Sequence, residues 1–313
     1  MGRRVNYAKL ATERPNPASR FLDRLAPLAI VTLMNREDRR VPLAVGRVAR
    51  QIARAVELIV ASLRNGGRLL FVGAGTSGRL GVMEAAECPP TFSTPPALVQ
   101  AIVAGGRGTV FRSGEGAEDR EAEARRAVRR RARAGDVLVG VAASGVTPFV
   151  RAALSEGRRL GARTVLVACA AERPVRSAVE ISIIPRVGPE ILTGSTRLKA
   201  GSATKMILNM LTTASMVRLG KVYQNRMVDL QPKSRKLRAR ALGLVQEIGG
   251  VSRPRARRLL RAAGGRAKVA IVMARLGVDA REAVRRLNAA DGSLRRSLWI
   301  KPPLSGSPAR RAR

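Results

Sequence analysis

Two carboxylates three residues apart, Glu84 and Glu87, ride on a helical segment that leaves a turn rich in glycine and hydroxyls, Gly73-Ala-Gly-Thr-Ser-Gly78. The turn follows Leu69 to Val72, a short apolar run of the type that forms a parallel strand buried on both faces. Gly73, Gly75 and Gly78 allow tight bending, and Thr76 and Ser77 supply hydroxyls. A strand, such a turn and a helix N-terminus together make an anion site. Carboxylates beside it can take or give protons. Proline disfavours the α conformation of its predecessor, so Pro89 and Pro90 predict the helix end and put Glu87 at its C-terminus.

The elements that would position these groups alternate between strand and helix. Ala97 to Val103, Asp136 to Ala142, Thr164 to Cys169 and Ile181 to Ile184 read as four further strands. A second hydroxyl-bearing turn, Ala143-Ser-Gly-Val-Thr-Pro148, follows the third strand. The alternation implies an α/β fold with an open, doubly wound, mostly parallel sheet flanked by helices. Ligands in such sheets bind at the carboxyl ends of the strands, where both turns fall. Upstream, residues 1–20 read as an extended arm and Phe21 to Asn35 as a helix that breaks at Asn35-Arg-Glu-Asp38. Val41 to Leu63 reads as one helix with apolar positions at helical spacing, closed by Asn65-Gly-Gly67. A hydroxyl-rich loop from Gly188 to Lys199 feeds a long helix, Ser202 to Leu219, and beyond Asn225 only helical segments are expected. The domain plan is therefore an arm and helix over 1–40, a sheet domain over 41–248, a small C-terminal helical domain over 249–303, and a basic disordered tail over 304–313.

Composition narrows the chemistry. The chain of 313 residues has no histidine, which excludes a Ser-His-Asp triad and leaves no zinc-site pattern. Its two cysteines, Cys88 and Cys169, form no disulfide framework. No apolar run is long enough to span a bilayer, and Met-Gly-Arg-Arg-Val-Asn-Tyr lacks the apolar core of a signal peptide. The expectation is a cytoplasmic protein without metal or membrane contact. The net charge of +37 raises the question of nucleic acid. It is spread along the chain, almost all as arginine, with no RNA-binding aromatic motif or zinc finger beside it. A generally arginine-rich surface accounts for it, and no specific nucleic-acid partner is expected.

Several ordered runs resemble the N-acetylmuramic acid 6-phosphate etherase family, of the sugar isomerase (SIS) fold superfamily. They are Thr12-Glu-Arg-Pro-Asn16, Gly73 to Gly81, Glu87-Cys-Pro-Pro-Thr-Phe92, Glu115-Gly-Ala-Glu-Asp119, Ala142-Ala-Ser-Gly145, Thr193 to Gly201 and Leu219-Gly-Lys-Val-Tyr223. The resemblance implies a homodimer that needs no cofactor. It would cleave the lactyl ether of N-acetylmuramic acid 6-phosphate by elimination and hydration, giving N-acetylglucosamine 6-phosphate and D-lactate. The family's catalytic glutamates map onto Glu87 and Glu118. With Glu87 at a helix C-terminus and Glu118 at the start of a helix, the helix dipoles would push their pKa values apart, Glu87 acting as acid and Glu118 as base. Glu84 and Glu115, three residues ahead of each, are expected to support rather than react.

Phosphate would sit on Thr76 and Ser77 from the first turn and Ser144 and Thr147 from the second, although simple N-capping would explain any one of them. Ser195, Thr196 and Lys199 are further candidates for substrate contacts. The chain departs from the family pattern at Val146, Phe149 and Ser93, where Arg, Tyr and Gly are expected. It departs again over 168–174, which lacks an Asn-Pro-Gly-type turn. A sugar-phosphate-sensing regulator and an aldose–ketose phosphate isomerase are the alternatives on the same fold.

Overall fold

The computed structural model describes residues 10–170, 178–232 and 234–299. The expected tail, the first part of the arm and most of the 168–174 segment lie outside the described residues. The chain divides into two compact units, Met1–Pro89 with Thr94–Ser215, and Pro90–Ser93 with Met216–Arg313.

In the first unit five strands form one parallel sheet in the order β2-β1-β3-β4-β5. They are β1 (Leu69–Gly73), β2 (Val99–Val103), β3 (Val137–Val141), β4 (Arg163–Val167) and β5 (Ile181–Ile183). Every residue of β1 and β3 is buried, which is why both read as unbroken apolar runs. Strand order reverses between β1 and β3, and the crevice outside their carboxyl ends is where such a sheet binds ligands. The helices that begin in this unit are α1 (Pro27–Asp38), α2 (Arg40–Gly46), α3 (Ala49–Arg64), α4 (Gly75–Phe92), α5 (Glu121–Arg131), α6 (Pro148–Arg159) and α7 (Lys199–Arg218), the last residues of α4 and α7 counting with the second unit. Leu138, Leu154, Phe149 and Val150 pack in one core cluster with Leu70 and Val72.

Four expectations need correction. The helix expected from Phe21 to Asn35 starts only at Pro27, after a 3-10 turn over Leu22–Arg24, and the polar run Asn35 to Asp38 forms its last turn, with Glu37 buried. The single helix expected from Val41 is two, interrupted at Arg47–Val48. Pro89 and Pro90 do not stop α4, which runs on to Phe92. Cys88 and Phe92, four residues apart and both buried, give the last turn an apolar anchor that offsets the two missing N–H groups. Nor do only helices remain beyond Asn225. A two-stranded antiparallel ribbon pairs β6 (Val222–Tyr223) with β7 (Arg226–Met227).

The second unit is otherwise helical: α8 (Arg235–Gly249), α9 (Arg253–Ala262), α10 (Ala267–Leu276), α11 (Ala280–Ala289) and α12 (Leu294–Trp299). The expected border at Gly249 falls after α8, yet Ala241, Leu244 and Val245 of α8 belong to this unit's core. No described helix is long and apolar enough to cross a membrane.

Candidate active site

The end of β1 and the first turn of α4 approach one another too closely for side chains. A Cβ on Gly78 would stand 2.7 Å from the Gly73 carbonyl oxygen, and one on Gly73 2.7 Å from the Gly78 nitrogen. Glycine at both positions therefore lets α4 start directly over the strand end, which places Thr76 and Ser77 in its first turn. The β3 turn mirrors this. Pro148 opens α6, and Thr147 is its N-cap residue but makes no side-chain capping bond. Ser144 Oγ accepts a 3.3 Å hydrogen bond from the Val146 N–H. Thr76, Ser77, Ser144 and Thr147, all half-buried, line one cleft of about 320 Å³. Hydroxyls and helix N-terminal amides converging there suit a phosphate-sized anion.

Glu118 reaches the same cleft from the loop after β2. Arg79 on α4 holds that loop, donating from Nε to the Val110 carbonyl at 2.8 Å and from Nη2 to the Arg112 carbonyl at 3.1 Å. Thr109 Oγ1 donates to the Ala104 carbonyl at 2.7 Å. Gly116 turns the chain at φ +68°, a left-handed conformation that favours glycine. A short 3-10 turn follows, Ala117–Asp119, with Ala117 buried and Glu118 exposed. Glu118 also lines a recess of about 120 Å³ with Glu115, whose Oε1 accepts from Ser113 Oγ at 3.2 Å. Glu118 lies in this turn rather than in the helix, which begins at Glu121.

The cleft thus brings together Thr76, Ser77, Glu118, Ser144, Thr147 and Thr196, with Thr12 and Glu13 added from the N-terminal segment. Ser195 is half-buried beside Thr196 but does not line the cleft. Glu87 does not line it either. It is exposed on α4, five residues before the end, and does not occupy the helix C-terminus expected for it. Met83, four residues earlier on the same helix face, is also exposed. Glu84 is buried and accepts from Thr212 Oγ1 at 2.5 Å, an anchor between α4 and α7.

Lys199 turns away from the expected role. Its side chain is 1 % exposed and its Nζ lies 2.7 Å from Glu37 Oε2. Burial pushes the Glu37 carboxyl up, but hydrogen bonds and charge from Lys199 and a hydrogen bond from Asn16 outweigh it and hold the group below its ordinary value. Glu190 caps α7 from the other side, accepting from the N–H groups of Lys199 and Ala200, each at 2.9 Å. Burial raises the Glu190 carboxyl above its ordinary value despite those bonds.

A family profile described as the N-terminal SIS domain of glucokinase regulatory protein matches residues 51–157. Relatives named N-acetylmuramic acid 6-phosphate etherase match far more of the chain. The one from Parasynechococcus marenigrum (strain WH8102) is 49% identical over 289 residues, covering 92% of this chain and 92% of the relative. That from Serratia proteamaculans (strain 568) is 47% identical over 295 residues, 94% of this chain and 99% of its own length. This chain belongs to the N-acetylmuramic acid 6-phosphate etherase family.

Family membership makes the thiols' inertness informative. Burial, with the charges of Glu84 and Glu87, pushes the Cys88 thiol up to about 12, and burial with Glu190 does the same to Cys169. Neither is a nucleophile at neutral pH. Sequence reasoning missed Arg79, which holds the Glu118 loop and lines the smaller recess, and the cleft residues Thr12 and Glu13. Only the run Thr12 to Asn16, as part of the family likeness, could have signalled the last two.

Proposed function

We propose that this chain, as an N-acetylmuramic acid 6-phosphate etherase, splits the lactyl ether by elimination and hydration. The 6-phosphate rests on Thr76, Ser77, Ser144 and Thr147. Glu118 takes the C2 proton of the open-chain sugar, lactate departs from C3, and water adds across the resulting double bond. The observation that carries this reading is a carboxylate, Glu118, lining the same cleft as four convergent hydroxyls, within a chain that matches named etherases over nearly its whole length. That coverage also favours it over a non-catalytic regulator or an isomerase. Thr196 contacts the sugar with Ser195 behind it, and Lys199 acts through position rather than contact. No cofactor enters the scheme.

Glu87 protonates the departing lactate and later activates water. Because it is exposed and lines no part of the cleft within one chain, it reaches a cleft through a homodimer, from a second copy. Release of D-lactate from N-acetylmuramic acid 6-phosphate tests the activity, with Glu87→Gln and Glu118→Gln as inactive controls. Mixing the two inactive variants under subunit exchange should restore roughly a quarter of wild-type activity if each site uses one glutamate from each copy. No recovery would place both glutamates in one chain and sink the shared-site reading. No lactate from the wild type would sink the etherase.

A further inference from the structure

Thr12 and Glu13 enter the cleft on a segment that, before α1, has no regular structure beyond short 3-10 turns, the first of them Ala11–Glu13. Such a segment needs outside anchors to hold a side chain in place, and three are present. The Gly194 N–H donates to the Thr12 carbonyl at 3.1 Å. Asn16 Nδ2 donates to the Pro189 carbonyl at 3.2 Å and to Glu37 Oε2 at 2.9 Å. Glu37 is in turn the carboxylate paired with the buried Lys199. Leu10, Thr12 and Asn16 are buried, whereas Glu13 between them is exposed to the cleft.

Only one carboxylate oxygen of Glu13 is engaged. Oε1 accepts from Thr12 Oγ1 at 3.0 Å, and Oε2 makes no hydrogen bond among the described residues. Gly194 keeps the space beside that oxygen open, since a Cβ there would stand 3.2 Å from it and the residue sits at φ +78°. A carboxylate only accepts hydrogen bonds and repels a phosphate dianion. Its complement must be a donor, and the hydroxyls and acetamido N–H of an amino sugar are the donors that a phosphate on the Thr76–Ser77 side lacks.

We propose that Glu13 is a substrate-contacting specificity residue, its free carboxylate oxygen accepting a hydrogen bond from a hydroxyl or amide N–H of the amino sugar. The Lys199–Glu37–Asn16 cluster acts as its positioning clamp. The inference rests on the etherase reading for the identity of the sugar.

Calorimetric titration with N-acetylglucosamine 6-phosphate and, separately, with inorganic phosphate tests it in the full-length protein. A charged hydrogen bond is worth about 1.5–3 kcal/mol, so Glu13→Ala should bind the sugar phosphate roughly 10- to 150-fold more weakly. Glu13→Gln, which keeps an acceptor, should recover part of the loss. Inorganic phosphate should bind both variants as well as the wild type or more tightly, because a repelling charge is gone. Unchanged sugar-phosphate affinity in Glu13→Ala would overturn this inference alone, as would a parallel loss of phosphate affinity, the mark of a collapsed cleft. A wild type that binds phosphate but not the amino-sugar phosphate would overturn the etherase reading along with it.

Discussion

Two buried lysines, one in each unit, show how differently the chain uses the same device. Lys199 in the sheet unit ends on Glu37, and the pair fastens an irregular segment that lines the cleft. Lys268 in the helical unit is 6 % exposed and ends on Asp229 at 2.9 Å and on the carbonyls of Gly220 and Gly292, at 3.0 and 2.9 Å. Burial lowers the Lys268 ammonium, and Asp229 partly restores it. Asp229 also pairs with Lys221 at 2.8 Å. Both lysines tie loops that regular secondary structure leaves loose, but only the first tie reaches groups able to do chemistry. A buried ion pair is weak evidence of stability and better evidence of what the fold holds still.

The contrast breaks first over activity. Glu118→Gln should lower lactate release by about 10²–10⁴-fold, the usual contribution of a general base, with no change in melting temperature because the side chain is exposed. A variant that keeps its turnover would remove Glu118 from the chemistry. Lys199→Met leaves the buried Glu37 with only the largely exposed Arg40, 3.2 Å away, as counter-ion, and calorimetry or denaturant titration should show a loss of about 3 kcal/mol or more. Lys268→Met should cost less, about 1–3 kcal/mol, because Asp229 is partly exposed to water, whereas Glu37 is fully buried, and keeps Lys221 at 2.8 Å. Assayed well below their melting temperatures, Lys199→Met should have lost turnover and Lys268→Met retained it. Equal losses of turnover would mean that both lysines serve the cleft alike.

A pH titration of stability sharpens the first half of the comparison. The Glu37 carboxyl is lowered in the folded protein, so its contribution is present above the unfolded value of about 4.3 and is lost as pH falls through the folded one. Glu190 is raised, so its contribution is present below the unfolded value and is lost as pH rises through the folded one. Two carboxylates beside one lysine therefore act with opposite sign. Lys199→Met removes the strongest of the groups that depress Glu37, leaving Asn16 and Arg40, and the acid limb of the melting curve should move to higher pH. An acid limb that stays in place would assign it to other carboxylates. The smallest effect concerns Ser93, a non-glycine residue at φ +51° where the family pattern expects glycine. Ser93→Gly should raise stability by about 1 kcal/mol, and an unchanged melting temperature would mean that its surroundings absorb the strain.

The sheet was legible because its strands are buried on both faces, so that Leu69–Val72 and the Asp136 to Ala142 run announce themselves by composition alone. The two hydroxyl turns were legible for a related reason: glycine and proline punctuate them where backbone sterics demand it. Pro89 and Pro90 misled, since a local preference against helix yields to burial of Cys88 and Phe92, which no local rule contains. Lys199 misled in the opposite sense. A cation in a hydroxyl-rich loop reads as a ligand contact, and its partner Glu37 lies 162 residues away in sequence. Glu13 carried no periodicity and no turn chemistry, so its place in the cleft follows only from tertiary anchors.

Those anchors also fix an order of events during synthesis. The hydrogen bond from Asn16 to Pro189 joins residues 173 positions apart, and Thr12 waits on Gly194. Contacts of such separation form late, after loop closure across the intervening chain. The hydroxyl turns can form once β2 and β3 have emerged to flank β1, but the pocket stays open on one side until the residues around Lys199 emerge. A nascent chain shorter than that holds the hydroxyl cradle without the arm that completes it.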